Sequence, residues 1–318
     1  MKKILIVGAG AMGAAFSIPL LDNGHSVTLT EPYNFKLLQK LNLKKKIHPS
    51  LNINLPQKLK INKFSSDILN QKWDLIVIAV SSIGIDLIGK NLSKIKNKSP
   101  ILVLTKGLKL DGRNLISMSS LLKKYNKNLN ISVLKGPCLA KELAKKVKSF
   151  TVVANKNINT AKKIGKLIST NYYQTEFSRD VNGVEFLSAI KNIYSMIIGA
   201  GQWHNTSSAL FRKSIDEMKY LANYFKGKKE TVYGLAGLGD LYVSAMGGRN
   251  SKMGEYLGKG YTFTRAKKKF MKNDTVEGAD LAMEIAPLVF KKINKKKVPL
   301  MISLLEAIVK NKKLKIKY

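Results

Sequence analysis

The sequence predicts two regions of different class: an α/β region over residues 1–180 with a mostly parallel, doubly wound sheet, then an all-α region over residues 181–318. Three observations carry this expectation. Short, near-continuous apolar runs alternate with helix-length segments through the first half, the pattern of strands buried on both faces by crossover helices. A G-x-G-x-x-G pattern, GAGAMG at 8–13, follows the first of these runs and opens the first helix, the setting that gives such glycines meaning. From about Asp180 the strand-like runs stop and apolar residues recur at helical spacing.

The elements follow in order. KKILIV (2–7) reads as a strand and precedes a helix near 11–23; SVTLT (26–30) reads as a second strand and precedes a helix near 33–44. After a polar stretch, DLIVIAV (74–80), PILVLT (100–105), ISVLKG (131–136) and FTVVAN (150–155) continue the strand series, separated by helical segments such as 114–125 and 158–169. Helical spacing then fills 183–200, 206–226, 236–246, 278–292 and 298–311, with glycine-rich breaks at 234–239 and 247–248. No internal repeat is evident and no low-complexity linker separates the halves, so the two domains are expected to share a cleft.

Composition narrows the classes of function. With 318 residues, 45% of them hydrophobic and 24% charged, the chain is globular, not disordered. Its formal charge is +36, and 51 of its 56 basic residues are lysines, scattered from Lys2 to Lys317. A nucleic-acid binder clusters its charge and interleaves arginine and aromatic residues, so no nucleic-acid partner is expected. KLNLKKKIH (40–48), RAKKKF (265–270) and KKINKKK (291–297) read as solvated helix faces and turns, and the field would concentrate small anionic metabolites. The single cysteine, Cys138, excludes an intrachain disulfide and fits a reducing cytoplasm. Three histidines without a Cys/His cluster argue against a structural metal. The basic, apolar start of the chain looks like a signal peptide, but its glycine spacing has the better explanation above. No other segment reaches about 18 uninterrupted apolar residues, and no membrane span is expected.

In the glycine pattern, Gly8 would permit a tight turn, Gly10 a close approach of backbone to a pyrophosphate, and Gly13 close packing of helix on strand. The helix N-terminus would face the phosphates. Glu31 lies 18 residues after Gly13 at the end of the second strand, where a carboxylate accepts hydrogen bonds from an adenosine ribose. It would repel a 2′-phosphate, and Pro32, Tyr33, Asn34 and Phe35 supply no arginine. NAD is therefore expected over NADP. Lys106 in TKG (105–107) and the Gly136-Pro137-Cys138 run sit just beyond strands, on the edge where ligands bind in such sheets. Lys106 is equally an ordinary loop lysine, and Cys138 a small packed side chain.

Two stretches of the helical half are unusual. VEFLSAIKNIYSMIIGA (184–200) carries one lysine, Lys191, near the centre of an apolar helix, where an ammonium loses water unless a polar site receives it. GLAGLGDLYVSAMGGRN (234–250) combines repeated glycines with Asp240 and ends on Arg249 and Asn250. In a chain so poor in arginine, Arg249 suggests bidentate recognition of phosphate or carboxylate; the alternative is a solvated arginine in a turn.

Taken in order, GAGAMG, TKGL (105–108), GPCLAKELA (136–144), GVEFLSAIKN (183–192), GLAGLGDL (234–241), GGRN (247–250) and VEG (276–278) resemble the NAD(P)-dependent sn-glycerol-3-phosphate dehydrogenase family. The resemblance covers most of both regions and implies a Rossmann domain followed by a helical substrate domain. It implies that Lys191 is the catalytic acid/base, Asp240 its partner, and Lys106 a lysine reaching substrate and cofactor. Arg249 and Asn250 would hold the substrate phosphate, with Gly248 and Ser244 beside them. Gly136, Cys138 and Ala140 would run along substrate and nicotinamide. The turn residues Gly8, Gly10, Ala11, Met12 and Gly13, with Glu31, Arg249, Thr275 and Glu277, would contact the cofactor.

The implied reaction is hydride transfer between the nicotinamide and C2 of dihydroxyacetone phosphate or glycerol 3-phosphate. Departures from the family lie near the substrate: KNIYSMIIGAGQWHN (191–205) is shorter than the usual glycine-rich loop and carries Trp203 and His204, Cys138 replaces a serine or threonine, and Ser188 and Ile190 flank Lys191. They leave open another small anionic hydroxy compound, such as a 2- or 3-hydroxy acid or a sulfonate. A non-catalytic nucleotide-binding protein is the remote alternative, and a homodimer the working assembly.

Overall fold

The structure, a computed structural model, describes residues 1–43, 46–95 and 98–317. Its contacts divide into two compact units, Met1–Lys106 with Met118–Val181, and Gly107–Ser117 with Asn182–Tyr318. Lys44 and Lys45, in the basic run at 40–48, lie outside the described residues.

In chain order the first unit begins β1 (Lys3–Val7), α1 (Ala11–Asp22), β2 (Ser26–Glu31), α2 (Phe35–Leu41), a small hairpin of β3 (Ile47–His48) and β4 (Ile53–Asn54), β5 (Lys60–Lys63), α3 (Ser66–Asn70), β6 (Leu75–Ile78), α4 (Ile85–Leu92) and β7 (Ile101–Val103). A second hairpin, β8 (Leu108–Asp111) and β9 (Asn114–Ser117), belongs to the second unit. The first unit resumes with α5 (Met118–Tyr125), β10 (Ile131–Lys135), α6 (Ala140–Ala144), β11 (Ser149–Ala154), α7 (Ile158–Ile168) and β12 (Tyr173–Ser178).

Among the described residues the main sheet has eight strands in the order β5-β2-β1-β6-β7-β10-β11-β12. All neighbours are parallel except β10 and β11. β1 lies between β2 and β6, so the chain winds outward from it in both directions and the carboxyl end of β1 marks the switch point where such sheets bind ligands. The apolar runs explain this placement: Ile4, Leu5, Ile6 and Val7 of β1 and Leu75, Ile76, Val77 and Ile78 of β6 are fully buried, as strands covered on both faces must be.

The second unit is helical apart from its hairpin: α8 (Val181–Gly199), α9 (His204–Tyr224), α10 (Asp240–Ala245), α11 (Arg249–Gly258), α12 (Phe263–Phe270), α13 (Glu277–Lys292) and α14 (Pro299–Val309). Every residue of α8 from Gly183 to Ile198 is buried, which makes it the axis of this core. Small residues let other helices reach its backbone: a Cβ on Gly254 of α11 would stand 2.0 Å from the Met196 carbonyl oxygen, and one on Gly278 of α13 would stand 2.5 Å from that of Asn192. No helix among the described residues is long and apolar enough to cross a membrane.

Two sequence expectations need correction. The helix expected over 114–125 starts only at Met118, because Asn114–Ser117 pairs antiparallel with Leu108–Asp111 across a two-residue turn. Gly112 opens that turn at φ +58°, a conformation that glycine adopts without strain. The break expected at 234–239 narrows to Gly234, which is extended; Leu235–Gly239 form a π-turn leading into α10. Of the two readings open for Arg249, the turn is not what is observed: Arg249 is the first residue of α11, with Gly248 as its N-cap.

Candidate active site

In the first unit the site is a backbone turn. Gly8 follows β1 at φ +112°, and its amide donates to the Thr30 carbonyl at 2.8 Å. A Cβ on Gly8 would stand 2.6 Å from the Ala79 carbonyl carbon, and one on Gly13 would stand 1.9 Å from the Gly8 oxygen. The turn is thus pressed between the end of β6 and the first turn of α1. At Gly10 an added Cβ would meet nothing within 4 Å. That open backbone lies at the N-cap of α1, with Ala11 and Met12 as its first residues. Unpaired N–H groups of a helix N-terminus beside an open glycine are the donor set that a pyrophosphate requires, so the residues present fit a dinucleotide.

Glu31 stands at the end of β2 and is buried. Its carboxylate accepts from the amides of Ala9 at 2.7 Å, Tyr33 at 2.9 Å and Asn34 at 3.2 Å. Each carboxylate oxygen can accept twice, so Glu31 first ties β2 to the glycine turn and keeps limited capacity for a ribose hydroxyl.

Lys106 is half-buried three residues after β7. Sequence reading missed the brace beneath it: Lys135, the last residue of β10, is 2% exposed and donates to the carbonyls of Thr105 at 2.7 Å and Val103 at 3.2 Å. Thr105 in turn donates to the Val80 carbonyl at 2.7 Å. The available signal was a lysine inside an otherwise apolar strand run, the same anomaly that marks Lys191. Gly136 follows at φ +123°. Cys138 packs against the core of this unit and hydrogen-bonds the hydroxyl of Tyr173, which burial holds well above the ordinary tyrosine range. Ala140 opens α6.

In the second unit, Lys191 of α8 is only 6% exposed. Its Nζ donates to Asp240 Oδ1 at 2.7 Å and to Ser244 Oγ in a short hydrogen bond. Asp240 is 2% exposed and is the first residue of α10. The π-turn before it carries Gly237, whose Cβ would stand 2.2 Å from the Val232 oxygen; such turns re-aim the residues that follow them. Four residues along α10, Ser244 returns to the same face. Burial of both charges costs several kcal/mol per ion unless they are paired and hydrogen-bonded, and here they are.

Asn192, next along α8, donates to Glu277 Oε2 at 3.4 Å, and Arg249 reaches Glu277 Oε1, also at 3.4 Å. Glu277 therefore connects the lysine's neighbour to the arginine. The arginine side chain is 52% exposed, and such exposed ion pairs are worth about 0–1 kcal/mol, so an anionic ligand can displace Glu277. Asn250 accepts from the Gly278 amide at 2.9 Å through Oδ1, which fixes its amide with Nδ2 as a donor. Thr275 is exposed just before α13. Trp203 and His204, which depart from the expected loop, are exposed at the start of α9.

Residues 3–161 match the family described as NAD-dependent glycerol-3-phosphate dehydrogenase N-terminus, and residues 180–316 its C-terminus. A glycerol-3-phosphate dehydrogenase [NAD(P)+] of Fusobacterium nucleatum is 32% identical over 87% of this chain and 84% of the relative. The NADP(+)-dependent glycerol-3-phosphate dehydrogenase of Archaeoglobus fulgidus is 28% identical over 83% and 82%. The crystal structure of glycerol-3-phosphate dehydrogenase from Coxiella burnetii shares the fold, with a TM-score of 0.84 over 98% of this chain and 96% of that one at 24% identity. With both halves of the sequence matched in order, the chain belongs to the NAD-dependent glycerol-3-phosphate dehydrogenase family.

Proposed function

We propose that the chain catalyses reversible hydride transfer between NAD(P) and a three-carbon phosphate, interconverting dihydroxyacetone phosphate and sn-glycerol 3-phosphate, with Lys191 as general acid/base. The observation that carries this reading is the buried Lys191–Asp240 pair, joined through Asn192 and Glu277 to an exposed arginine. When bound, the nicotinamide supplies or accepts the hydride. In reduction, Lys191 Nζ gives a proton to the C2 oxygen as it becomes an alcohol; in oxidation Nζ takes that proton back. Asp240 and Ser244 orient the ammonium for this transfer. Arg249 and the Asn250 amide hold the phosphate, so binding energy remote from the reacting carbon positions it.

For the cofactor, NAD is proposed over NADP. Glu31 supports it, because a 2′-phosphate at the end of β2 would meet a buried carboxylate, and Pro32, Tyr33, Asn34 and Phe35 that follow it include no arginine. The single cysteine supports a cytoplasmic site of action.

The test is a substrate panel followed by NADH and NADPH consumption, with dihydroxyacetone phosphate, unphosphorylated dihydroxyacetone and simple 2-keto acids. The proposal expects kcat/KM for the phosphate ester to exceed that for dihydroxyacetone by about a hundredfold or more, as charge-assisted hydrogen bonds to one dianion provide. A 2-keto acid turned over faster than dihydroxyacetone phosphate would refute it.

A further inference from the structure

The hairpin of β3 and β4 has no place in the reaction proposed above, yet it delivers one side chain to the glycine turn. His48 is 1% exposed, and its Nε2 lies 3.0 Å from the carbonyl oxygen of Ala9. A carbonyl only accepts, so this ring nitrogen carries the proton. The other nitrogen, Nδ1, accepts from the Leu51 amide at 3.3 Å, which fixes the same tautomer from the opposite side of the ring.

Ala9 is therefore held at both ends of its own residue. Its amide donates to Glu31 Oε2 at 2.7 Å, and its carbonyl accepts from His48. It sits between Gly8 and Gly10, the one pressed against Ala79 and the other open. Glycine on either side leaves the Ala9 segment many conformations, so two buried hydrogen bonds from outside the turn decide which one it takes.

The hairpin is itself anchored. Leu51, Leu55 and Leu59 are buried in the core of the first unit with Leu41. Lys46 Nζ donates to the carbonyls of Gln57 and Leu59, each at 2.8 Å, and the Lys46 carbonyl accepts from the Leu55 amide at 3.1 Å. A segment inserted between α2 and β5 thus supports one imidazole at a fixed place.

We infer that His48 is a positioning residue for the dinucleotide: with Glu31 it clamps Ala9, so the amides around Gly10 stand ready for the pyrophosphate before it binds. This rests on the reading that the turn binds the cofactor. Preorganised donors bind more tightly because the ordering cost has been met in folding.

The experiment compares the unaltered chain with His48→Leu and His48→Gln. Leucine keeps much of the bulk and loses the donor, while glutamine carries an Nε2–H at nearly the reach of the histidine Nε2. NADH affinity is read by fluorescence titration, alongside steady-state KM and kcat and a thermal melt. For His48→Leu we expect the NADH Kd and KM to rise about tenfold or more, the size of one buried hydrogen bond whose acceptor is left unpaired. The kcat at saturating NADH should stay within about twofold, because the reacting groups are untouched. For His48→Gln we expect Kd to return to within about threefold of the parent.

Unchanged NADH affinity in the leucine variant overturns the inference. So does weakening shared equally by both variants with an equal loss of melting temperature, which marks a purely structural role. If the unaltered chain itself fails to bind NADH, the cofactor reading falls, an outcome distinct from either.

Discussion

Lys191 Nζ lies 2.7 Å from Asp240 Oδ1, between two residues 49 apart in sequence and nearly inaccessible to water. An apolar helix tolerates this cation because a second helix, started by a π-turn, brings a carboxylate and a hydroxyl to it. The pair is expensive to bury, and buried ion pairs are often no more stabilising than hydrophobic residues of like volume. That cost points to chemistry, not to packing.

Arg249 tests the anion end of the site. Its pairing with Glu277 is long and exposed, so its removal should leave the fold intact. Arg249→Ala is expected to raise KM for dihydroxyacetone phosphate about tenfold or more, with a much smaller change for unphosphorylated dihydroxyacetone. Equal weakening for both compounds would move the phosphate elsewhere.

Gly254 tests how α11 is placed. An added methyl would overlap the Met196 carbonyl at 2.0 Å, and backbone on both sides leaves little to yield. Gly254→Ala should destabilise by about 1–3 kcal/mol as overpacking does, lowering Tm by several degrees. Because Arg249 and Asn250 ride on the same helix, KM for the phosphorylated substrate should rise with it. A variant as stable as the parent would show that the helices can separate without cost.

Glu217 gives a pH dependence of stability through a group not assigned to the reaction. On α9 it is 4% exposed and accepts from the amides of Leu300 and Met301, at 2.6 and 3.0 Å, and from the Tyr194 hydroxyl at 3.0 Å. Burial outweighs these three donors and pushes its carboxyl from an ordinary 4.5 up to about 7. The folded chain then holds this proton more tightly than the unfolded one, so the stabilisation is full below pH 4.5 and is lost as pH rises through 7. Tighter proton binding of this size is worth on the order of 3 kcal/mol. Urea unfolding at pH 5 and pH 8 should show a smaller fall in stability for Glu217→Gln than for the parent. Equal falls would mean that the carboxylate is ionised throughout.

Much of the fold is legible in the sequence. The glycine turn, β1 and β6 and the length of α8 follow from backbone that must be buried on all sides, which leaves long apolar runs. What escapes depends on partners distant in sequence. α11 reads poorly because Gly254 and Gly258 disfavour an isolated helix, yet packing against Met196 of α8 and against Ala200 just beyond it demands them. The 108–117 hairpin escapes for a local reason: its DG turn is in view, but the following Met118–Tyr125 helix masks the short strand before it. His48 gives no periodic signal, and Lys135 shows only as a lysine in an apolar run whose partner cannot be read, since their acceptors, Ala9 and Thr105, lie 39 and 30 residues away. Lys191 is visible as an anomaly, but its partners Asp240 and Ser244 are assigned through family resemblance, not spacing.

The most direct test of the central claim is turnover of dihydroxyacetone phosphate by Lys191→Ala, measured with NADH affinity in the same preparation. Loss of a general acid/base predicts kcat lower by about a hundredfold or more, with NADH Kd near that of the parent because the glycine turn lies in the other unit. Turnover at the parental rate would remove Lys191 from the chemistry and contradict the account.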